Sequence, residues 1–147
     1  MSKIKSELTV MLNQALELEH AARIQYLCHA ELVKGIDAEP VIARLKEIAS
    51  DELKHEETFR DLIGNYLDAE PSMGMAKTHK AKDRTQILEV NLTDEKDAIE
   101  FYKSIYRKAV ENKDKLTDIF ETLEHEIRHV IIEEQEHVAE LSVLLGK

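Results

Sequence analysis

Two Glu-x-x-His pairs, Glu52 with His55 and Glu134 with His137, carry the ligand types from which proteins build sites for metal pairs. The three-residue spacing sets a carboxylate and an imidazole on one helix face, one turn apart. Each pair can hold one ion, and a glutamate from each of two other helices, Glu19 and Glu95, completes the set. Mixed carboxylate and imidazole donors suit Fe2+ and Mn2+ and also admit Zn2+. The spacing alone is weak, because a chain with 21 Glu and 7 His in 147 residues yields about one such pair by chance. Here there are four. The other two, Glu17/His20 and Glu126/His129, fall outside the apolar stripes described below and read as solvated.

An internal repeat strengthens the reading. Glu19-x-x-Ala22-x-x-x-Tyr26 recurs as Glu95-x-x-Ala98-x-x-x-Tyr102. Glu52-x-x-His55-x-x-x-Phe59-x-x-Leu62-Ile63-Gly64 recurs as Glu134-x-x-His137-x-x-x-Leu141-x-x-Leu144-Leu145-Gly146. An approximate two-fold axis through a pair of ions would produce this relation.

Positioning these groups requires four helices, and helical periodicity predicts them over residues 3–33, 38–67, 83–111 and 115–145. The first has an inward stripe of Leu8, Leu12, Ala15, Glu19, Ala22, Tyr26 and His29; the second has Val41, Leu45, Ile48, Glu52, His55, Phe59, Leu62 and Tyr66. The third carries Leu88, Leu92, Glu95, Ala98, Tyr102, Ile105 and Ala109; the fourth carries Leu116, Phe120, Leu123, Ile127, Val130, Glu134, His137, Leu141 and Leu144. Short connections at Gly35–Asp37 and near Lys115 make two antiparallel hairpins, and Pro40 falls in a first turn, where proline is tolerated. The polar stretch 68–82, with Pro71 and Gly74, extends to at most about 50 Å, enough to run beside a helix of about 45 Å. The expected fold is all-α, a single-domain four-helix bundle of two hairpins joined by one long crossover. In each hairpin the acidic positions lie at matching distances from the turn, so all six side chains can meet in one layer.

With these residues in view, the sequence resembles the ferritin-like superfamily, and bacterioferritin most closely, over nearly its whole length. The match rests on Glu19 with Tyr26, Glu52-Leu53-Lys54-His55, Glu95, and Glu134-Gln135-Glu136-His137. The resemblance implies a ferroxidase centre in which Glu52 and Glu134 bridge two iron ions, with Glu19 and His55 on one and Glu95 and His137 on the other. Tyr26 and Tyr102 would hydrogen-bond to ligating carboxylates. It implies oxidation of Fe2+ by O2 or H2O2, in iron handling, detoxification or storage. Leu53 stands where bacterioferritin typically has a haem-ligating Met, so no haem is expected. The ten residues after His137 are too few for the fifth helix of cage-forming ferritins. Ala98 replaces a glutamate usual in rubrerythrins, and rubredoxin cysteines are missing, which leaves a rubrerythrin-like peroxidase or oxidase as the alternative, beside a non-catalytic dimetal-binding bundle.

Composition excludes other classes. A net charge of −10 argues against nucleic acid as a partner. No apolar run approaches the roughly 20 residues that span a bilayer, and the N-terminus lacks a signal-peptide core, so the expected compartment is the cytoplasm. Lone Cys28 reads as a small packing residue. A homo-oligomer, at least a dimer, is expected, with Leu18, Ile24, Leu27, Ile99, Ile119, Ile131 and Ile132 as candidate contacts. Met73, Met75, His79 and the crossover lysines read as a solvated loop.

Overall fold

The computed structural model describes residues 1–147. Four helices form the bundle: α1 (Lys3–Ala30), α2 (Ala38–Asp61), α3 (Arg84–Glu111) and α4 (Phe120–Leu144). There is no strand, and no helix is long and apolar enough to cross a membrane. Ser2 opens α1 by accepting from the Lys5 amide, and Asp83 opens α3 by accepting from the Gln86 amide at 2.9 Å, which satisfies amides that have no partner within the helix. Between α1 and α2 the chain turns through Gly35 and Asp37, both at positive φ. Arg84 donates to the Lys34 and Ile36 carbonyls there, tying the start of α3 to this turn.

α1 packs on α2 and α3 on α4 as antiparallel hairpins, as the periodicity predicts. Buried apolar side chains fall into two clusters. One joins Leu8 and Leu12 to Phe59, Ile105 and Leu123; the other joins Val41 and Leu45 to Ile87, Leu88 and Leu141. The layer between them holds the six acidic and imidazole side chains. An apolar core at each end fixes the helices on both sides of this polar layer, each buried Leu or Ile contributing roughly 1.5–3 kcal/mol.

The crossover does run the length of the bundle, but it is not a free loop. It is laid along α1: Ser72 N donates to Asn13, Ala76 N to the Glu17 carbonyl, and His79 N to Gln25. Met73 and Met75 are exposed, in keeping with a solvated segment. Glu17 and His20, expected to be solvated, are half-buried beneath it, since Ser72 donates to Glu17 and His20 meets the Gly74 carbonyl at 2.6 Å.

Other departures have local causes. α2 widens into a π turn at Leu62–Tyr66, which rotates the following residues, so Leu67 is buried and Tyr66, assigned to the inward stripe, is exposed. A 3₁₀ turn at Lys113–Lys115 delays α4 until Phe120, although Leu116 is still buried. Ile99, Ile119 and Ile131 belong to the core rather than the surface, leaving Ile24, Leu27 and Ile132 exposed. Cys28 is not a packing residue; it faces solvent on α1. It should therefore react with a thiol reagent in the native protein as fast as in the denatured one, and protection in the native state would contradict its placement.

Candidate metal centre

All six residues singled out as ligands converge at mid-bundle, each no more than 3 % exposed. Glu19 comes from α1, Glu52 and His55 from α2, Glu95 from α3, and Glu134 and His137 from α4. Donor atoms of Glu19, Glu52, His55 and Glu134 lie within 4.8 Å of one another, and so do those of Glu52, Glu95, Glu134 and His137. Glu52 and Glu134 belong to both groups. His55 Nδ1 stands 3.1 Å from Glu134 Oε1 and 3.3 Å from Glu52 Oε1; His137 Nδ1 stands 3.2 and 3.4 Å from the same two atoms. The imidazole centroids are 6.1 Å apart.

Around this layer the outer atoms of Glu19, Glu95, His55 and His137 are held by hydrogen bonds, and one inner atom of each of the six residues is not. Tyr26 donates to Glu95 Oε1 at 2.8 Å, and Tyr102 to Glu19 Oε1 at 2.7 Å, each reaching across from the facing helix. His55 Nε2 bonds Glu133 at 2.8 Å and His137 Nε2 bonds Asp51 at 3.0 Å. A carboxylate only accepts, so Nε2 carries the proton and a neutral ring turns its Nδ1 lone pair inward. What remains without a hydrogen bond is Glu19 Oε2, Glu52 Oε1, His55 Nδ1, Glu95 Oε2, Glu134 Oε1 and His137 Nδ1. Six buried polar atoms, one from each residue, are thus left aimed at a common centre. Buried unpaired oxygens cost several kcal/mol, which a cation would offset. The donor set therefore fits two metal ions.

Electrostatics agree. Burial, then the neighbouring carboxylates, hold Glu52 and Glu95 well above the ordinary 4.5, and Glu19 is also raised. Burial opposes the charge on Glu134 too, yet contacts from His137 and His55 hold it well below 4.5. Burial lowers His137, but the Glu134 and Glu95 carboxylates override it and push it up to about 11. His55 is raised by the same balance, chiefly through Glu19. Burial, then Glu95 for Tyr26 and Glu19 for Tyr102, keeps both phenols protonated as donors. Protons neutralise the metal-free cluster, and cations would displace them.

Two features lay beyond the sequence reading. Asp51 and Glu133 each precede a predicted glutamate, so the acidic pairs Asp51-Glu52 and Glu133-Glu134 were a legible signal. The second feature is a polar network beside the centre, of which only His29 lay on a predicted stripe. Gln25 donates to Asn91 and Asp94, His29 bonds both Asn91 and the His79 carbonyl, and His79 pairs with Asp94 at 3.0 Å. This network anchors the crossover at the rim of a cavity of about 190 Å³ between α1 and α3. Lys77 and His79 stand at its rim, Ala21, Ala22 and Ala98 line it, and Glu19, Glu95 and both tyrosines are in its wall.

Fold and site together define an antiparallel four-helix bundle with a carboxylate–imidazole cluster at its centre. Residues 10–147 match the ferritin-like domain family, and the chain belongs to it. Over 99 % of both chains it superposes, with TM-score 0.89 and 26 % identity, on a ferritin-like diiron-carboxylate protein from Bacillus anthracis str. Ames. A bacterioferritin-related dodecameric thioferritin from Bacteroides fragilis gives TM-score 0.81 at 25 % identity, covering 97 % of this chain and 86 % of that one. Rhodobacter capsulatus bacterioferritin, whose structure has a metal-free dinuclear site and haem iron, shares the fold at TM-score 0.82 and 21 % identity, over 96 % and 84 % of the chains. No curated protein matches the sequence significantly.

Proposed function

We propose that this protein is a ferroxidase-type diiron protein, with Glu52 and Glu134 shared by two iron ions, Glu19 and His55 completing one and Glu95 and His137 the other. The carrying observation is the set of six inward-facing, unpartnered donor atoms, one from each residue. The diiron-carboxylate description of the Bacillus anthracis protein supports iron. Two bound Fe2+ supply two electrons, which with two protons reduce O2 to H2O2 or H2O2 to two waters. The chain's own residues set the geometry. Tyr26 and Tyr102 each hold one carboxylate oxygen and leave the other for metal, while Asp51 and Glu133 fix the imidazole tautomers.

The cavity between α1 and α3 supports a route for small reactants, because alanines leave room where larger residues would seal the wall. Ala98→Phe should fill it and slow Fe2+ oxidation severalfold, with a packing cost of about 1–3 kcal/mol. Co2+ absorption at equilibrium should still report a full site; an unchanged oxidation rate would exclude this route.

The same cavity favours a second reading, a rubrerythrin-like peroxidase or oxidase without storage, since about 190 Å³ beside the carboxylates leaves room for a reactant larger than O2. Loading metal-free protein with excess Fe2+ in air, then sizing it and counting iron, separates the two. About two irons per chain on a small oligomer, with H2O2 much faster than O2, would favour the peroxidase. Many irons on a large assembly establish storage, for which the dodecameric Bacteroides fragilis relative offers one precedent of assembly. Exposed Ile24, Leu27 and Ile132 support at least a dimer.

A further inference from the structure

Five of the seven histidines are engaged. His55 and His137 face the centre, His29 and His79 belong to the polar network, and His20 holds the crossover at Gly74. The remaining two, His125 and His129, are exposed, lie one turn apart on α4, and face each other with ring centroids 4.2 Å apart. Neither makes a hydrogen bond to the chain. Two imidazoles gathered in water gain little from each other, but they present nitrogen donors within reach of a single ion. Exposed Glu121 lies one turn before the pair; Glu133, one turn after, is engaged with His55 and is not counted as a donor. The outer face of α4 thus offers two adjacent imidazoles, with an exposed carboxylate one turn before them.

We infer that His125 and His129 form a surface chelate for a divalent transition-metal ion, separate from the buried centre. Paired imidazoles at i and i+4 on a rigid helix suit Zn2+, Cu2+ and Ni2+, which bind such donors more tightly than Fe2+ does. The helix fixes both donors before the ion arrives, so the second imidazole binds at high effective concentration.

Retention on immobilised Cu2+, eluted with imidazole, tests this, because a resin-bound ion reaches exposed pairs and not the buried centre. His125→Ala and His129→Ala should each weaken retention by about tenfold or more, and the double variant little further, the mark of a chelate. Alanine is a good helix former at these exposed positions, and circular dichroism would confirm the fold. His79→Ala and Glu52→Ala should be retained like the native chain, so failure at the centre would not read as failure here. Unchanged retention of the double variant, or two equal additive losses, would overturn the chelate.

Discussion

Glu52→Ala is expected to bind fewer than two metal ions per chain and to lose rapid Fe2+ oxidation, by about a hundredfold or more. The magnitude follows from its place, since residues that merely support metal ligands already cost about 10–100-fold when removed. Glu52 offers an atom to both donor groups, so its loss opens both halves of the site, as Glu134→Ala would. Loss of Glu19 or Glu95, each in one group only, should weaken one ion more than the other. The metal-free Glu52→Ala chain should fold at least as well as the native one at neutral pH, because the substitution removes a carboxyl whose ionisation is resisted first by burial and then by Glu134, Glu19 and Glu95. Oxidation kinetics together with metal counts check this. Native rates in a folded variant would mean that the iron chemistry takes place elsewhere.

The second large effect is the dependence of stability on pH and metal. Glu52, Glu95 and Glu19 have folded values above 4.5, so their contribution is complete below pH 4.5 and is lost as pH rises through the raised values. His55 and His137 are also raised, His137 to about 11, so their contribution is complete below 6.5 and declines as pH rises toward the folded values. Glu134, held below 4.5, acts in the other direction only in acid. Hence the metal-free protein should be most stable in mild acid and lose stability steadily from about pH 5 to 8. Metal binding releases the same protons and should strengthen over that interval. At a hundredfold excess over Kd a bound ion adds about 2.7 kcal/mol, raising Tm by roughly 5–10 °C. The metal-induced rise in Tm should therefore be small at pH 5 and largest near pH 8. A rise that shrinks with increasing pH would reverse the assignment of these charges.

Much of this was legible in the sequence for one physical reason. A buried carboxylate is costly, so Glu19, Glu52, Glu95 and Glu134 on apolar stripes call for a cation or a proton, and equal distances from two turns announce a common layer. Tyr26 and Tyr102 were legible because they lie seven residues, two turns, beyond Glu19 and Glu95. Helix ends were not, since the π turn after Asp61 and the 3₁₀ turn before Phe120 depend on tertiary packing. Ile99, Ile119 and Ile131 were assigned to the surface because one stripe per helix undercounts the core where helices pack against two neighbours. Cys28 illustrates the converse: burial is only a tendency of its residue type, and this one lies on the outer face of α1. The anchoring of the crossover rests on pairings such as Ser72 with Asn13 and His79 with Gln25, which no local pattern encodes.

The most direct test is an anaerobic equilibrium titration of metal-free protein with Fe2+, counting ions bound per folded chain. The six-residue centre requires about two, falling below two in Glu52→Ala and Glu134→Ala alike. Fewer than one ion on the native chain, or two retained by both variants, would contradict it.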